Sequence, residues 1–195
     1  MSGEPESTVL VVDDEQGIVE GHAASLDGEY AVRTALDGHE AIEQLDADVD
    51  VVLLDRRMPE LSGEEVLAHI RERDLDCRVA MLTGVEPDVD IVEMGFDDYV
   101  RKPVGRSELF DVVERLLQRA RYDRRLQEFF SLASKAAALE AEHDTAELEG
   151  HPEYERLRDR LDQFRGKLDE TVADLPPEDR YAVATGSAVG DAVSD

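Results

Sequence analysis

Short apolar runs alternate with longer amphipathic segments from Val9 to about Arg121, and this alternation constrains the fold more than any other feature of the chain. The strand-like runs cover residues 9–12, 30–34, 49–54, 78–82 and 98–100. The helix-like stretches lie near residues 15–27, 38–46, 63–73, 88–95 and 106–121. Because the two kinds of segment alternate, the pattern predicts an α/β fold, a doubly wound five-stranded parallel sheet with helices on both faces.

Strand signals stop beyond Arg121, and two helical stretches follow. The first carries an apolar stripe at Leu126, Phe129, Phe130, Ala133, Ala136, Ala137 and Leu139. Gly150-His151-Pro152 breaks it, and Pro152 is well placed to start the next helix. The second stripe follows a spacing close to a heptad seam, at Tyr154, Leu157, Leu161, Phe164, Leu168 and Val172. The pattern predicts an appended all-α antiparallel helical hairpin, or a coiled coil that pairs two chains.

These patterns divide the chain into four segments. We expect a flexible arm over residues 1–7, the α/β domain over 8–120 and a helical domain over 121–175. Residues 176–195 mix Ala, Gly, Ser, Val and Asp without periodicity, which predicts a disordered tail.

Charge excludes some classes of protein. The chain carries 48 acidic and 21 basic residues, a net charge of −27, which argues against general affinity for nucleic acid. Only three of the basic residues are lysines. This composition resembles that of cytosolic proteins of extreme halophiles, where molar salt screens self-repulsion to within about 3 Å. We therefore expect cooperative unfolding at low salt, whereas an ordinary acidic protein would be indifferent to it.

The compartment and the basic residues give two further expectations. A single cysteine, Cys77, and the lack of a long apolar segment predict a cytoplasmic protein without membrane attachment. Residues 101–125 hold eight bases against four acids, with a cluster at Arg115, Arg119, Arg121, Arg124 and Arg125. These arginines either pair with acids along and between helices or form a docking strip for an acidic partner, such as a second copy.

Charged side chains mark the ends of three predicted strands: Asp13-Asp14, Asp55 and Lys102. Parallel sheets bind ligands at this edge. Three carboxylates there repel one another, and Mg²⁺ would relieve the repulsion because it prefers oxygen ligands. One carboxylate could then attack phosphorus, while Lys102 and the Thr83 hydroxyl stabilise the transferring oxygens. Without a nucleotide-binding loop, the expected covalent product is an aspartyl phosphate.

The ordered motifs over residues 8–121 resemble the receiver (CheY-like) domain of two-component response regulators. They are the acidic pair, Asp-Arg-Arg-Met-Pro from Asp55, a glycine, Leu-Thr-Gly around Thr83, and Asp-Tyr-Val-Arg-Lys-Pro ending at Pro103. Each piece alone is weak, but the full ordered set is specific.

The resemblance implies a role for each site residue. Asp55 is the expected phosphoacceptor, supplied by the phosphohistidine of a sensor histidine kinase. Thr83 and Tyr99 are the expected switch pair, and Lys102 the residue that senses the phosphoryl group. The Lys102-Pro103 peptide is often cis in this family. The expected Mg²⁺ ligands are Asp13, Asp14, Asp55 and the backbone carbonyl of Arg57.

The chain departs from the commoner family pattern at Arg56-Arg57. The second position after the acceptor is, by resemblance, one that tunes the lifetime of the phosphoryl group. Arg57 could contact that group or obstruct the attacking water, so we expect Arg57→Ala to change the half-life.

The segment 121–172 resembles the HalX domain that follows receivers in haloarchaeal regulators, a resemblance that names an architecture and no activity. We favour output through protein contacts or homodimerisation. DNA binding is the alternative, although no helix-turn-helix or basic helix is evident. An enzyme is not expected: aspartate-nucleophile phosphatases carry a second Asp where this chain has Arg57.

Overall fold

The computed structural model describes residues 7–84, 94–143, 148 and 150–174, without the side chains of residues 165–174. The strands are β1 Thr8–Val12, β2 Ala31–Ala35, β3 Val51–Asp55, β4 Arg78–Thr83 and β5 Asp98–Arg101. The helices are α1 Gln16–Leu26, α2 Gly38–Gln44, α3 Gly63–Glu72, α4 Arg106–Glu142 and α5 Pro152–Asp174. Three predicted segments lie outside the described residues: residues 1–6 of the arm, residues 88–93 of the helix predicted at 88–95, and the tail.

The five strands form one parallel sheet in the order β2-β1-β3-β4-β5. Helices α2 and α3 pack on one face of the sheet, and α1 and the first part of α4 pack on the other. All five residues of β3 are buried, as expected for a central parallel strand covered on both faces. The predicted doubly wound sheet is confirmed, and its strand order changes direction at β1 and β3, where such sheets bind ligands.

The start of α3 is fixed by local chemistry. Ser62 is its N-cap residue and accepts a hydrogen bond from the backbone N–H of Glu65, whose carboxylate in turn accepts from the backbone N–H of Ser62. This reciprocal pair satisfies two backbone donors that the helix leaves open. The first turn of α3 is thereby held against the loop that follows β3.

Helix α4 is longer than the sequence pattern predicts. It continues from Arg106 to Glu142, so the end predicted at residue 121 is wrong. No glycine or proline interrupts this stretch, and the change from sheet-packing to hairpin residues occurs within one helix. The chain separates into two compact units, residues 1–117 and 118–195. The domain boundaries predicted above stay a prediction.

The second unit contains the predicted antiparallel hairpin. Leu132, Ala136 and Leu161 form a small buried core with Phe129 and Phe164 packed against it. The ion pairs Arg160–Glu128 and Arg158–Glu140, at 2.6 and 3.1 Å, fix the antiparallel direction, since they join the two helices in opposite order.

Three members of the predicted first stripe are exposed. Phe130 is 53% and Leu139 38% exposed, and Ala137 is exposed as well, whereas Leu132, outside that stripe, is buried. The residues that face α5 are 129, 132, 133 and 136, a spacing of three and four that only one side of a helix can supply. No helix within the described ranges is long and apolar enough to cross a membrane.

Candidate functional site

Three of the predicted site residues meet at the carboxyl edge of the sheet. Asp13 follows β1, Asp55 ends β3 and Lys102 follows β5. The ammonium of Lys102 donates to Asp13 Oδ2 at 2.6 Å and to Asp55 Oδ1 at 2.5 Å. Asp13 and Asp55 are only 2% and 6% exposed. One partly buried lysine therefore bridges two buried carboxylates from neighbouring strands.

Burial and charge oppose each other at this bridge. Burial raises the pKa of Asp55 above its ordinary value, although the hydrogen bond and charge of Lys102 act in the other direction. For Lys102, burial is the largest single influence and lowers the pKa. The hydrogen bonds and charges of Asp13 and Asp55 together outweigh it, so the pKa of Lys102 is raised. The lysine stays protonated at neutral pH.

Asp14 differs from its neighbour because its side chain is exposed. Within the described ranges, no three His, Cys, Asp or Glu side chains are arranged as a ready-made metal site. The donors nevertheless fit Mg²⁺ in kind. Two buried carboxylates share one ammonium, a third carboxylate adjoins them, and all offer the hard oxygens that this ion prefers.

The loop between β3 and α3 presses against the backbone of Asp55. The backbone N–H of Arg57 donates to Asp55 Oδ2 at 2.8 Å, and the N–H of Gly63 donates to the carbonyl of Arg56 at 3.1 Å. A Cβ on Gly63 would lie 2.1 Å from the carbonyl oxygen of Asp55. The glycine of the motif therefore allows α3 to begin directly against the end of β3.

An ion pair that the sequence did not predict closes the same loop. Arg56 Nε lies 2.7 Å from Glu64 Oε1, and the side chain of Arg56 is only 11% exposed. Arg57, by contrast, is exposed. No residue spacing identifies this pair in advance, because its members lie on opposite sides of an irregular loop.

The expected switch pair lies on β4 and β5. Thr83 is 1% exposed and Tyr99 is half-buried, with its ring 5.6 Å from that of Phe96. Tyr99 pairs with Met81, and Thr83 lies two residues after Met81 on the same strand. Because alternate residues of a strand share a face, the side chains of Thr83 and Tyr99 both lie on the face of the sheet that α2 and α3 cover. The Lys102 N–H donates to the Thr83 carbonyl at 2.8 Å, and the Lys102-Pro103 peptide is cis.

A groove of about 630 Å³ opens beside Lys102, and sequence reasoning missed it. It is lined by α1 residues including Gly17 and Gly21, and by the Lys102–Val104 segment. His22 lines the groove too, and its buried Nδ1 has no hydrogen-bond partner among the described residues. Burial lowers the pKa of His22, partly opposed by the charge of Asp13. No sequence signal marked this histidine.

One arginine of the basic cluster has an acidic partner in the first unit. Arg115 Nη2 lies 2.5 Å from Asp98 Oδ2, which ties α4 to β5. Arg119, Arg124 and Arg125 also make interactions. The Arg115–Asp98 pair supports the interpretation that the arginines pair with acids. For the rest of the cluster that pairing, like docking of a second copy, stays a prediction.

Comparison with known proteins agrees with this geometry. Residues 9–114 match the response regulator receiver domain, and residues 118–184 match the HalX domain. A protein of Haloferax volcanii, whose name describes a transcriptional regulator, is 49% identical over 86% of this chain and 29% of its own length. The Bacillus subtilis regulator PhoP of alkaline phosphatase synthesis is 31% identical over 88% of this chain and 68% of its own length.

A solved structure shares the fold. The BeF3-activated receiver domain of DrrB, from Thermotoga maritima, is 32% identical, with a TM-score of 0.53 over 57% of this chain and 97% of that domain. The chain thus spans less than a third of its Haloferax relative but nearly all of a solved receiver. Together with the site geometry, these matches show that the chain belongs to the two-component response regulators, with a receiver domain followed by a HalX domain.

Proposed function

We propose that Asp55 accepts a phosphoryl group from the phosphohistidine of a sensor histidine kinase, and that the resulting aspartyl phosphate switches the receiver. The observation that carries this proposal is the environment of Asp55. Its carboxylate is buried at the end of the central strand, with Lys102 on one oxygen and a backbone N–H on the other. Such a carboxylate is oriented for attack, and the ammonium of Lys102 favours its charged form against the effect of burial.

In the transfer, an oxygen of Asp55 forms a bond to phosphorus while the bond between phosphorus and the histidine nitrogen of the donor breaks. The histidine nitrogen that loses phosphorus takes up a proton from solvent, and the donor histidine leaves as neutral imidazole. Lys102 places a positive charge beside the oxygen that receives the phosphoryl group. The N–H of Arg57 holds the second carboxylate oxygen, so that only one oxygen is presented.

The residues that would hold Mg²⁺ are Asp13, Asp14, Asp55 and the backbone carbonyl of Arg57. When bound, the ion would supply positive charge for the phosphoryl oxygens. The charge balance supports this assignment, since one ammonium leaves the two buried carboxylates with a net negative charge. Phosphorylation would add charge close to −2 with strong acceptor oxygens.

The switch is proposed for Thr83 and Tyr99. The buried hydroxyl of Thr83 would donate to the phosphoryl group, and Tyr99 would turn into the space that Thr83 leaves. Two observations support this: the side chains of Thr83 and Tyr99 share one face of the sheet, and the ring of Tyr99 is only half-buried.

The decisive experiment is labelling of the full chain with a small phosphoryl donor such as acetyl phosphate, in molar KCl with Mg²⁺. Asp55→Asn should abolish the label without loss of fold. Asp48→Asn is the matched control, because Asp48 is an exposed aspartate that precedes β3 at the opposite edge of the sheet. Labelling that survives in Asp55→Asn, at a level equal to that of the control, would remove Asp55 from its role.

The lifetime of the phosphoryl group is a separate proposal. The exposed side chain of Arg57 stands at the mouth of the site, where it could contact the phosphoryl oxygens or impede water. We expect Arg57→Ala to change the half-life severalfold, measured as loss of label after the donor is removed. An unchanged half-life would contradict this role.

For the output we favour protein contacts through the helical hairpin, including a homodimer. The names of the two relatives support DNA-linked transcriptional control as the second candidate. Sedimentation in high salt, with and without phosphorylation, separates them: a phosphorylation-dependent dimer supports the first, and a DNA-dependent shift of a monomer supports the second. We propose no turnover beyond formation and hydrolysis of the aspartyl phosphate. Release of more than one phosphate per chain from an external ester would favour a phosphatase instead.

A further inference from the structure

The loop after β3 carries two backbone groups of Arg57 that concern the site: its N–H, and its carbonyl, which is a proposed Mg²⁺ ligand. The N–H already donates to Asp55 Oδ2. An irregular loop places such groups accurately only if something fixes its conformation. The question is therefore which contacts hold residues 56–62 in place.

Arg56 supplies two of these contacts at once. Its carbonyl accepts from the N–H of Gly63, and its guanidinium reaches Glu64 in the first turn of α3. Because Gly63 and Glu64 are consecutive, the backbone and side chain of one loop residue bind adjacent positions of the helix. The loop is closed at its base by a double link.

The burial of Arg56 shows that this is more than a surface pair. Its side chain is 11% exposed, whereas Glu64 is 49% exposed. A guanidinium withdrawn from water to this extent keeps one preferred geometry, because its donors need partners. The planar fork also resists the rotation that a flexible ammonium would allow.

We propose that the Arg56–Glu64 ion pair is a positioning element for phosphorylation: it sets the orientation of the Arg57 backbone towards Asp55. Arg56 does not touch the reacting atoms and acts through its neighbour. The proposal rests on the proposed role of Asp55. It explains why a charged residue stands directly after the acceptor, with its side chain turned towards α3 and away from the reaction.

The test uses Arg56→Ala, Glu64→Gln and the exchanged pair Arg56→Glu/Glu64→Arg in the full chain. Three quantities are measured in molar KCl: the rate constant of labelling by acetyl phosphate, its half-saturating Mg²⁺ concentration, and the hydrogen-exchange rate of the Arg57 amide. The matched control is Arg33→Ala, which removes another ion pair of the first unit, Arg33–Asp46 at 2.8 Å.

We expect each single variant to raise the half-saturating Mg²⁺ concentration or slow labelling by about threefold to tenfold, the range for loss of a partly buried pair. The Arg57 amide should exchange faster in both. Arg33→Ala should change none of the three quantities, and the exchanged pair should recover part of the loss. Glu64→Gln keeps an exposed side chain of equal size, so it tests the pair even if Arg56→Ala folds poorly.

Normal labelling together with an unchanged Arg57 amide in Glu64→Gln would overturn the proposal. Equal losses in Arg33→Ala would also overturn it, because the effect would then be one of general stability. Failure of the proposed function gives a different result: the wild-type chain would take no label on Asp55, while the amide exchange would still report whether the pair orders the loop.

Discussion

The approach of α3 to the end of β3 makes a quantitative prediction for Gly63→Ala. The added Cβ would lie 2.1 Å from the carbonyl oxygen of Asp55, well inside the 3.0 Å limit below which real Cβ contacts essentially do not occur. The nearest atoms all belong to the backbone of Asp55 and Arg56, so no side chain can rotate away. Either α3 or the end of the buried central strand must move.

The magnitude follows from three contributions. Overpacking against a fixed backbone costs about 1–3 kcal/mol. Movement of α3 also weakens the hydrogen bond from Gly63 N–H to the Arg56 carbonyl, a loss of about 0.5–1.5 kcal/mol. The greater helix propensity of alanine returns up to about 1 kcal/mol. The middle of each range gives an expected net loss of about 2–3 kcal/mol in the free energy of unfolding.

The measurement is urea unfolding in molar KCl, followed by circular dichroism because the chain contains no tryptophan. With a denaturant slope of about 2 kcal/mol per M, the midpoint should fall by about 1–1.5 M. Gly21→Ala is the matched control: this α1 glycine has nothing within 4 Å of an added Cβ, so alanine should stabilise by about 0.5–1 kcal/mol. Gly63→Ala should also slow labelling of Asp55. If it is as stable as Gly21→Ala and labels normally, the close approach is refuted.

Three further predictions concern the charges, the hairpin and the salt dependence. Lys102→Met removes the ammonium that two buried carboxylates share, so we expect the free energy of unfolding to fall by about 2–3 kcal/mol at neutral pH. Millimolar Mg²⁺ should restore part of this loss. A urea midpoint that does not recover with Mg²⁺ would count against Mg²⁺ at this site. Leu161→Ala should lower the free energy of unfolding by about 2–3 kcal/mol, measured by the same urea unfolding. Replacement of the exposed Phe130 by alanine should change that free energy by less than about 0.5 kcal/mol. Equal effects of the two variants would contradict the packing of the hairpin. Burial raises the pKa of the Cys77 thiol to about 11, so this thiol should react slowly with a thiol reagent at pH 8 in molar salt. It should react rapidly once low salt unfolds the chain. A reaction rate independent of salt would contradict the halophilic interpretation.

The sheet could be predicted from sequence because its central strands face helices on both sides. Residues 51–54 of β3 are all apolar and all buried, and a run of that kind leaves little choice of structure. The site followed from the sheet, since polar residues that end parallel strands meet at one edge. That reasoning brought Asp13, Asp55 and Lys102 together, as the structure does.

Finer features depend on distances that a linear pattern does not contain. Phe129 and Phe130 are equally apolar, and the position of α5 decides which one packs against the core of the hairpin. Asp13 and Asp14 are chemically alike, yet the direction of the chain after β1 buries the first and exposes the second. The Arg56–Glu64 pair depends on how closely α3 approaches β3. Gly63 permits this close approach, but a glycine at that position does not by itself predict it.

The position of Lys102 suggests how modification of one oxygen reaches the rest of the receiver. Its side chain donates to Asp55 Oδ1, so a phosphoryl group attached to that oxygen would have to displace the ammonium, while Asp13 could still hold it. The Lys102 backbone is bonded to the carbonyl of Thr83, so a movement of Lys102 would be felt at the ends of both β4 and β5. Tyr99 lies on β5, three residues before Lys102, where its half-buried ring can respond. A lysine that contacts Asp55 and is bonded to β4 would therefore couple a change of charge at Asp55 to the proposed switch.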